Sequence, residues 1–460
     1  MLELNLHQRI HFIGIGGAGL SAIARILLER GYSVSGSDLK GSPLTAALAA
    51  DGARVYVGHE AHFVQGADLV LATSAAPPDH VEIRAARALD IPVYKRKNFM
   101  GAILRDCDTI AVAGTHGKTT TTSMIIHILK RAGKDPSFIV GGTLANWGAN
   151  AGIGKGPSFI IEADEYDNMF HGLNPTLAVI TNVEHDHPDF FKTPAQMRAA
   201  FKTFVEKLAP GGSLIACADD EAANAIANEH RAEGGQATTY GISNETADWR
   251  AADLRFNGER ATAGIWRHGS LRAEFQLSLP GAHNALNALA ALVAAGERGV
   301  SPEESAQALK SFRATARRFE VRGERDGVIL IDDYAHHPTE IQVNIEAARL
   351  RYPEREIWVV WQPHTYSRIQ QFWRGFTGAF QGADHVLITP VYAAREAPIK
   401  GVTSRALVEA MSEHGGAVNA PTFDEAVDVL RRTARAPAVV LIFSAGDANV
   451  IADKFLGESS

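Results

Sequence analysis

A glycine-rich segment with one lysine and several hydroxyls carries the strongest chemical signal in the sequence. It reads Gly114-Thr115-His116-Gly117-Lys118-Thr119-Thr120. Backbone N–H groups at a helix start hold phosphate oxygens, a lysine neutralises β- and γ-phosphate charge, and a hydroxyl reaches Mg²⁺. The loop is shorter than the usual P-loop, because Val112 stands where that pattern has its first glycine. We predict a nucleotide-phosphate site here, against the alternative of a strand-to-helix turn with an incidental lysine.

Two polar clusters follow apolar runs farther along the chain. The first begins at Glu162 after the run 159–161, and the second ends at His187 after the run 177–181. The carboxyl ends of parallel strands meet at one edge of a sheet, so both clusters are expected near Lys118. With the Thr119 hydroxyl, Glu162 and His187 would form a cation site beside the phosphates. Each residue taken alone fits a helix cap or a solvated turn equally well.

A second glycine pattern lies near the start of the chain. Gly14, Gly16 and Gly19 fit the fingerprint of a dinucleotide site, and Asp38 follows at the end of the next apolar run. In such sites the pyrophosphate lies on a helix N-terminus and the carboxylate binds a ribose hydroxyl. The ligand could be NAD or another diphosphate nucleotide, and close helix–strand packing without a ligand is the alternative.

The elements that must position these residues follow from hydrophobic periodicity. Short apolar runs alternate with helical stripes over the first hundred residues, which predicts a small parallel sheet with helices between its strands. A second α/β unit opens at residues 109–113, and alternating residues between 248 and 279 predict an antiparallel appendage. A third alternating unit begins near residue 319. We therefore predict an α/β protein with three domains at residues 1–106, 107–318 and 319–460.

Composition agrees with this organisation and bears on partners. A chain of 460 residues favours about three domains. The net charge of -7 gives no general attraction to nucleic acid or to anionic membranes. Two cysteines provide neither a disulfide framework nor a cysteine-ligated zinc site. From the net charge we predict that the protein binds neither nucleic acid nor membrane. The low cysteine count and the lack of a long apolar segment together predict a cytoplasmic protein.

Six motifs, in chain order, resemble those of the Mur ligase family, the ATP-dependent enzymes that add amino acids to the UDP-N-acetylmuramate precursor of peptidoglycan. They are Gly114–Thr120, Glu162–Glu165, Asn182–His187, Gly281–Asn287, Arg317–Glu320 and Asp332–Pro338. The resemblance covers essentially the whole chain. It implies an N-terminal Rossmann-like UDP-binding domain, a central P-loop-type ATPase domain with a mostly parallel sheet, and a C-terminal Rossmann-like domain.

The resemblance also implies an activity. His116 in the phosphate loop and the segment 332–338 are similar to two branches, one that ligates L-alanine and one that ligates a tripeptide to UDP-N-acetylmuramate. The segments 362–368, 391–394 and 396–398 are more similar to the L-alanine branch. The reaction would proceed through an acyl phosphate made from ATP, with Mg²⁺, and would release ADP and phosphate. A monomer or homodimer is expected. Tyr166 and Thr365 depart from that branch, and Tyr166 is typical of the relative that ligates the tripeptide L-Ala-γ-D-Glu-meso-diaminopimelate.

Site residues carried over from the family fall into five groups. Catalytic roles are implied for Lys118, His187 and Arg318, and metal ligation for Thr119, Glu162 and His187. ATP binding is implied for the loop 114–120 and for His283, Asn284, Asn287, Arg318 and Asp333. UDP-sugar binding is implied for Gly16, Gly19, Asp38, His59 and Ser74, and amino-acid binding for Tyr334, His336 and Arg368. Lys202 has the spacing of a carbamylated lysine in sister ligases, but we interpret it as a solvated helix residue.

Two other classes of function compete with a ligase. A nicotinamide-dependent dehydrogenase would explain the pattern from Gly14 to Asp38, but it leaves the phosphate loop without a role. A nucleotide switch without ligation would explain Lys118 and Thr119, but not the second glycine pattern. Turnover of NADH would identify the dehydrogenase, and ATP hydrolysis that needs no amine would identify the switch.

Overall fold

A computed structural model describes residues 4–258, 260–411 and 416–457. Its strands are β1 (Arg9–Ile13), β2 (Ser33–Asp38), β3 (Arg54–Val57), β4 (Leu69–Ala72), β5 (Val93–Lys95), β6 (Asp108–Ala113), β7 (Ser137–Leu144), β8 (Ala149–Gly152), β9 (Ser158–Glu162), β10 (Leu177–Ile180), β11 (Ser213–Cys217), β12 (Gln236–Gly241), β13 (Trp249–Phe256), β14 (Ala261–Arg267), β15 (Ser270–Leu277), β16 (Glu320–Arg325), β17 (Val328–Asp333), β18 (Glu356–Trp361), β19 (His385–Ile388), β20 (Val418–Asn419) and β21 (Ala438–Phe443).

The helices alternate with these strands over most of the chain. They are α1 (Ala18–Glu29), α2 (Pro43–Ala50), α3 (Val81–Ala88), α4 (Arg96–Ile103), α5 (Lys118–Arg131), α6 (Pro194–Val205), α7 (Glu221–Ala232), α8 (Ala282–Gly296), α9 (Pro302–Leu309), α10 (Pro338–Arg351), α11 (Tyr366–Gln371), α12 (Trp373–Gly378), α13 (Ser404–Met411), α14 (Phe423–Thr433) and α15 (Val450–Leu456). Within the described residues, none of these helices has the length and apolarity needed to span a bilayer.

The first sheet confirms the predicted parallel organisation of the N-terminal region. Its five strands run in the order β3-β2-β1-β4-β5, and every pair is parallel. β1 lies in the middle, where Ile10, Phe12 and Ile13 are almost fully buried because helices cover both faces. The strand order reverses between β1 and β4, which is where parallel α/β sheets form a ligand crevice. The glycine loop directly follows β1 and therefore lies at that crevice.

A second sheet places the phosphate loop between neighbouring strand ends. In the order β12-β11-β10-β6-β9-β7-β8, strand β6 lies between β9 and β10 and is parallel to both. The apolar runs that predicted these three strands are buried, as expected for parallel strands in a sheet that is covered on both faces. Their carboxyl ends carry the segments that follow Ala113, Glu162 and Ile180. The predicted convergence of the loop with the first polar cluster is therefore built into the strand order.

The antiparallel appendage is also confirmed. β14 and β15 pair antiparallel through a turn at His268 and Gly269, whose φ angles are +48° and +76°. A two-residue turn with both φ angles positive has the twist that a hairpin requires. The alternating residues of β14 follow from this pairing, because Ala261, Ala263 and Ile265 are buried on one face.

The third sheet runs in the order β16-β17-β21-β18-β19-β20, with only β16 antiparallel among the described pairs. Two apolar cores cover its faces, one around Trp361 and Phe376 and the other around Trp358 and Phe455. Burial on both faces accounts for the continuous apolar runs of β17, β18 and β21. The segments after β17 and β18 carry the predicted amino-acid-binding residues.

Three sheets give a three-domain α/β architecture. By compactness the chain divides into a first unit of residues 1–183, 198–249 and 290–308 and a second unit of residues 184–197, 250–289 and 309–460. The domain limits at residues 106 and 318 stay predictions. Several strands were not predicted from the sequence, namely β7, β8, β11, β12, β16 and β20.

Candidate active site

Backbone conformation shapes the phosphate loop between β6 and α5. Gly114 has φ +143°, and a Cβ there would lie 1.8 Å from the Thr181 hydroxyl oxygen. Gly117 has φ +80° and caps α5, which begins at Lys118. Only glycine meets both requirements without strain. The strand, loop and helix predicted from the sequence are thus present, with the first-turn N–H groups of α5 at the loop.

Lys118 lies inside this loop with its side chain 14% exposed. Its ammonium donates to the Gly114 and Thr115 carbonyls and lies 2.9 Å from a carboxylate oxygen of buried Glu165. Burial opposes the charge of Lys118, but Glu165 outweighs it and the pKa of the lysine is raised. The loop therefore holds a permanent cation, and Glu165, absent from the predicted site, positions it.

The loop is clamped by residues that follow β10. Asn182 accepts the His116 N–H through Oδ1 at 2.8 Å and donates to the His116 carbonyl through Nδ2 at 3.1 Å. The Thr181 hydroxyl donates to the same carbonyl at 2.6 Å. These bonds fix the loop backbone before any ligand arrives. Both residues lie in or beside a motif that the sequence singled out, but their clamping role depends on the pairing of β10 with β6.

Two of the three predicted metal ligands come together in the first unit. The Thr119 hydroxyl lies 3.0 and 3.1 Å from the two carboxylate oxygens of Glu162. One of those oxygens also accepts the Gly141 N–H at 2.8 Å. The third predicted ligand, His187, belongs to the second unit, where it has φ +53° and lies 3.8 Å from Asp186.

Three of the predicted ATP-binding residues, His283, Asn284 and Asn287, lie at the start of α8 in the second unit. Asn284 donates to the Pro280 carbonyl at 2.7 Å, and Asn287 lies 3.4 Å from the Asn284 side-chain oxygen. Gly281 has φ +93°, and a Cβ there would lie 2.6 Å from the His283 ring. In this structure the Asn284 amide ties the start of α8 to the preceding turn.

A buried charged cluster in the second unit contains two of the predicted amino-acid-binding residues. Arg368 is 3% exposed; it donates to Asp186 through Nε and to His364 through Nη1, both at 2.8 Å. Burial opposes the charge of Asp186, but Arg368, His187 and His336 hold its pKa well below the usual range. Sequence reasoning missed Asp186 and His364 as members of this cluster, although both lie within motifs that were identified.

Hydrogen bonding gives the two histidines of the cluster opposite tautomers. His336 donates from Nδ1 to the Tyr334 carbonyl at 3.0 Å, which leaves Nε2 as an acceptor. His364 accepts the Arg368 guanidinium at Nδ1, which leaves Nε2–H as a donor. Burial, with Arg368, lowers the pKa of His336 to about 4, and burial, with His336 and Arg368, lowers that of His364 to about 3. Both rings are neutral near pH 7.

Asp333 and Arg318 have definite contacts in the second unit. Asp333 accepts the Phe319 and Ala335 N–H groups at 2.7 Å and the Asn344 amide at 3.1 Å, and burial raises its pKa to about 6. These three bonds hold the Asp333 carboxylate between the Phe319 and Ala335 backbone and the Asn344 side chain, and its predicted role in ATP binding stays a prediction. The Arg318 guanidinium lies 5.2 Å from the centre of the Tyr334 ring.

The predicted UDP-binding residues lie at the crevice of the first sheet. The Gly16 N–H donates to Asp38 at 2.8 Å, and Cβ atoms at Gly16 and Gly19 would lie 2.9 and 2.7 Å from Asp38 and Arg96. His59 is partly buried and hydrogen-bonded to Glu82 at 2.7 Å, whereas Ser74 is exposed in the turn after β4. The close approaches explain why glycines occupy this loop.

Sequence families match three successive parts of the chain. These are the Mur ligase family catalytic domain over residues 9–107, the Mur ligase middle domain over residues 112–295, and the Mur ligase glutamate ligase domain over residues 317–446. The chain is 41% identical over its full length to the UDP-N-acetylmuramate–L-alanine ligase of Caldanaerobacter subterraneus, of which it covers 99%. It is 43% identical to the enzyme of that name from Renibacterium salmoninarum, over 97% of this chain and 95% of the other.

Solved structures agree with the sequence relatives. The crystal structure of UDP-N-acetylmuramate-alanine ligase from Thermotoga maritima superimposes with a TM-score of 0.83 at 29% identity, over 98% of this chain and 99% of that one. A murein peptide ligase from Psychrobacter arcticus, at 24% identity and a TM-score of 0.71, shares the fold over 98% of each chain. With three family models in succession and relatives above 40% identity over nearly the whole length, this chain belongs to the Mur ligase family.

Proposed function

We propose that this protein ligates L-alanine to UDP-N-acetylmuramate at the expense of ATP, through an acyl phosphate, with release of ADP and phosphate. The observation that carries the proposal is the loop cation Lys118, held on a strand-to-helix turn in a chain 41% identical over its full length to a UDP-N-acetylmuramate–L-alanine ligase. We propose that the protein acts in the cytoplasm. The nucleotide-switch and dehydrogenase hypotheses would leave the cluster around Arg368 without a role.

Activation of a carboxylate explains the need for the phosphate loop. A carboxylate resists an amine because its leaving group would be oxide, so the acid must first be phosphorylated. Stabilising the transferred phosphoryl group is electrostatic work, and Lys118 with the α5 N–H groups supplies positive charge at fixed positions. Glu165 keeps the Lys118 ammonium in place. The ammonium also donates to the Gly114 and Thr115 carbonyls, and phosphate oxygens can replace these two acceptors.

We propose Mg²⁺ as the metal, held by Thr119, Glu162 and His187. The fit is supported by the hydroxyl and carboxylate of Thr119 and Glu162, which already lie within 3.1 Å of each other, and oxygen ligands are those that Mg²⁺ prefers. When bound, the ion would neutralise charge on the ATP phosphates. Arg318 is proposed at the γ-phosphate, with His283, Asn284 and Asn287 near the adenine.

The opposite tautomers of His336 and His364 suit a free amino acid. A zwitterion presents an ammonium, which donates, and a carboxylate, which accepts. Nε2 of His336 is an acceptor, while Nε2–H of His364 is a donor near the Arg368 guanidinium. We propose that they receive the ammonium and the carboxylate respectively, with Tyr334 at the side-chain pocket. Because Asp186 already pairs with Arg368, the carboxylate would meet a guanidinium whose position is set in advance.

In the proposed assignment UDP-N-acetylmuramate lies on the glycine loop, with Gly16, Gly19, Asp38, His59 and Ser74 as its contacts. Asp38 accepts the Gly16 N–H through one carboxylate oxygen. Its second carboxylate oxygen can serve a ribose hydroxyl while the first holds the loop. The loop N–H groups at the start of α1 would then face the pyrophosphate.

The experiment that tests the function supplies ATP, Mg²⁺ and UDP-N-acetylmuramate with a panel of amino acids and peptides. Phosphate release is followed, and the product mass is measured. We expect release to require both the UDP-sugar and an amine, with L-alanine the best substrate and glycine and serine poorer. Ligation of L-Ala-γ-D-Glu-meso-diaminopimelate without L-alanine activity would overturn the proposal and favour the tripeptide reaction that Tyr166 is typical of.

A further inference from the structure

A carboxylate with no exposure to solvent lies beneath the glycine loop of the first sheet. Glu82 is 0% exposed, and three side chains donate to it: His11 Nε2 at 2.7 Å, the Ser37 hydroxyl at 2.8 Å, and His59 Nδ1 at 2.7 Å. An ionised carboxylate can only accept, so each partner must present a hydrogen. Burial opposes this charge, but the three hydrogen bonds outweigh it and the pKa of Glu82 is lowered.

Ser37 connects this carboxylate to the glycine loop. Its carbonyl accepts the Gly14 and Ile15 N–H groups at 2.8 and 3.0 Å, and the next residue, Asp38, accepts the Gly16 N–H. The network therefore lies directly under the loop proposed to hold the pyrophosphate. Glu82 is also in the first turn of α3, where the helix dipole favours a negative charge.

His59 is the member of the network that reaches solvent. Its side chain is 17% exposed, whereas those of His11 and Glu82 have no exposure. Nδ1 is committed to Glu82, and the ring of His80 contacts the His59 ring edge-on at 4.5 Å. Nε2 is therefore the atom that His59 can offer to a ligand.

We propose that Glu82 is a positioning residue for UDP-sugar binding, which fixes the tautomer and ring orientation of His59 so that Nε2 meets the ligand. The inference rests on the proposed function, because UDP-N-acetylmuramate is the ligand in question. Buried carboxylates that hold a histidine by one nitrogen commonly determine what the other nitrogen does.

A metal site is the competing interpretation of the same residues. His59, His80 and Glu82 each offer a ligand atom within 4.8 Å of the other two. Tetrahedral zinc, with bonds of about 2.0–2.2 Å, separates its donor atoms by roughly 3.3 Å. His59 Nδ1 and Glu82 Oε1 are 2.7 Å apart, which is the length of a charge-assisted hydrogen bond. The distance favours a shared proton over a shared cation.

A double-mutant cycle tests whether Glu82 acts through His59. Calorimetry would measure the affinity for UDP-N-acetylmuramate of the wild type, His59→Ala, Glu82→Gln and the double variant. At metal sites, loss of a carboxylate that orients a histidine ligand typically costs about 10-fold to 100-fold in affinity, which sets the scale for this histidine. We expect each single change to weaken binding about tenfold or more, and the double variant to bind no more weakly than His59→Ala alone. Effects that multiply in the double variant would overturn the positioning role.

Two readouts separate positioning from a merely structural role. The ¹⁵N spectrum of the wild-type imidazoles should show His59 protonated at Nδ1, and Glu82→Gln should change that signal. A wild-type His59 ring protonated only at Nε2 would overturn the proposal, even if the Glu82→Gln variant fails to fold. Ser35→Ala is the matched control, because Ser35 contacts His11 rather than His59. It should leave the UDP-sugar affinity unchanged, and a tenfold loss would show that any disturbance of the network suffices.

Three further outcomes would overturn the positioning role of Glu82. A wild-type protein that does not bind UDP-N-acetylmuramate would overturn both the proposed function and this inference. Normal binding with a multiplicative cycle would overturn the positioning role alone. Tight zinc binding by the wild type that is lost in both single variants would overturn it in favour of the metal site.

Discussion

Lys118 is the residue on which the proposed phosphate chemistry depends most directly. Lys118→Ala should lower ligation by two to three decades, because loss of one such electrostatic contact costs about 3 to 4 kcal/mol in the transition state. The protein should stay folded, since the lysine contacts loop carbonyls rather than an apolar core. Steady-state phosphate release checks the prediction. Lys202→Ala is the control, because Lys202 is exposed and pairs only with Glu229 and Glu233 among the described residues. Near-normal turnover by Lys118→Ala would refute the assignment of the phosphate loop.

Glu162 allows a separate test of the proposed cation site. Glu162→Gln keeps the shape of the side chain but removes the charge that would hold Mg²⁺, so half-maximal activity should require several-fold more metal. The Mg²⁺ dependence of phosphate release is the measurement. Glu162 also accepts the Gly141 N–H, a bond that glutamine can retain. An unchanged metal titration would contradict the site.

Asp332 gives a prediction about stability and pH. Its carboxylate is 0% exposed and accepts no hydrogen bond from any residue that the structure describes. Burial raises its pKa to about 6 although Arg317 and Arg322 lie 3.5 and 3.7 Å away. At this residue the folded state therefore binds more protons than the unfolded state between about pH 4 and 6. The contribution of Asp332 to the free energy of unfolding should fall as pH rises through that range, by roughly 2 to 3 kcal/mol.

Asp332→Asn should remove the part of this dependence that comes from Asp332, and it should raise the melting temperature more at pH 7.5 than at pH 4. Thermal unfolding at both values measures it. Asp333→Asn is the contrasting variant. The pKa of Asp333 is also raised to about 6, but its carboxylate accepts three hydrogen bonds. We therefore expect net destabilisation when an amide replaces this carboxylate. Equal pH profiles for Asp332→Asn and wild type would contradict the assignment.

At the scale of elements, the turn from β6 to α5 has no room for a side chain at its first glycine. Gly114→Ala places a methyl group 1.8 Å from the Thr181 hydroxyl oxygen and adds backbone strain at φ +143°. We expect a loss of stability of about 2 kcal/mol or more and strongly reduced ligation. Gly296→Ala is the control, since a Cβ there meets nothing within 4 Å at the end of α8 and should be neutral or slightly stabilising. Denaturant titration of both variants makes the comparison.

The strands and the buried contacts differ in how well the sequence could predict them. Apolar runs identified β1, β6, β10, β17 and β18, because buried parallel strands are apolar on both faces. β7 was missed since Gly141 and Gly142 interrupt it, and β16 because it is a polar edge strand whose only large apolar residue is Val321. Motif spacing placed Lys118 correctly on its loop. It could not indicate that Glu165 would bind the lysine or that Asp333 would be enclosed, since both depend on tertiary burial.

At the scale of the molecule, we predict that the affinities of the proposed nucleotide and UDP-sugar sites depend on each other. An acyl phosphate is hydrolysed by water, so the protein gains if the arrangement that excludes water is favoured only when both substrates are bound. Binding of one ligand should then strengthen binding of the other. We predict that a non-hydrolysable ATP analogue with Mg²⁺ tightens the binding of UDP-N-acetylmuramate by about 5-fold to 100-fold, and that the reverse measurement gives the same factor. Calorimetric titration of each ligand in the presence and absence of the other tests this, with Lys118→Ala as the variant in which the factor should shrink. Identical affinities with and without the second ligand would show that the two sites act independently, and protection of the intermediate would then have to come from each site alone.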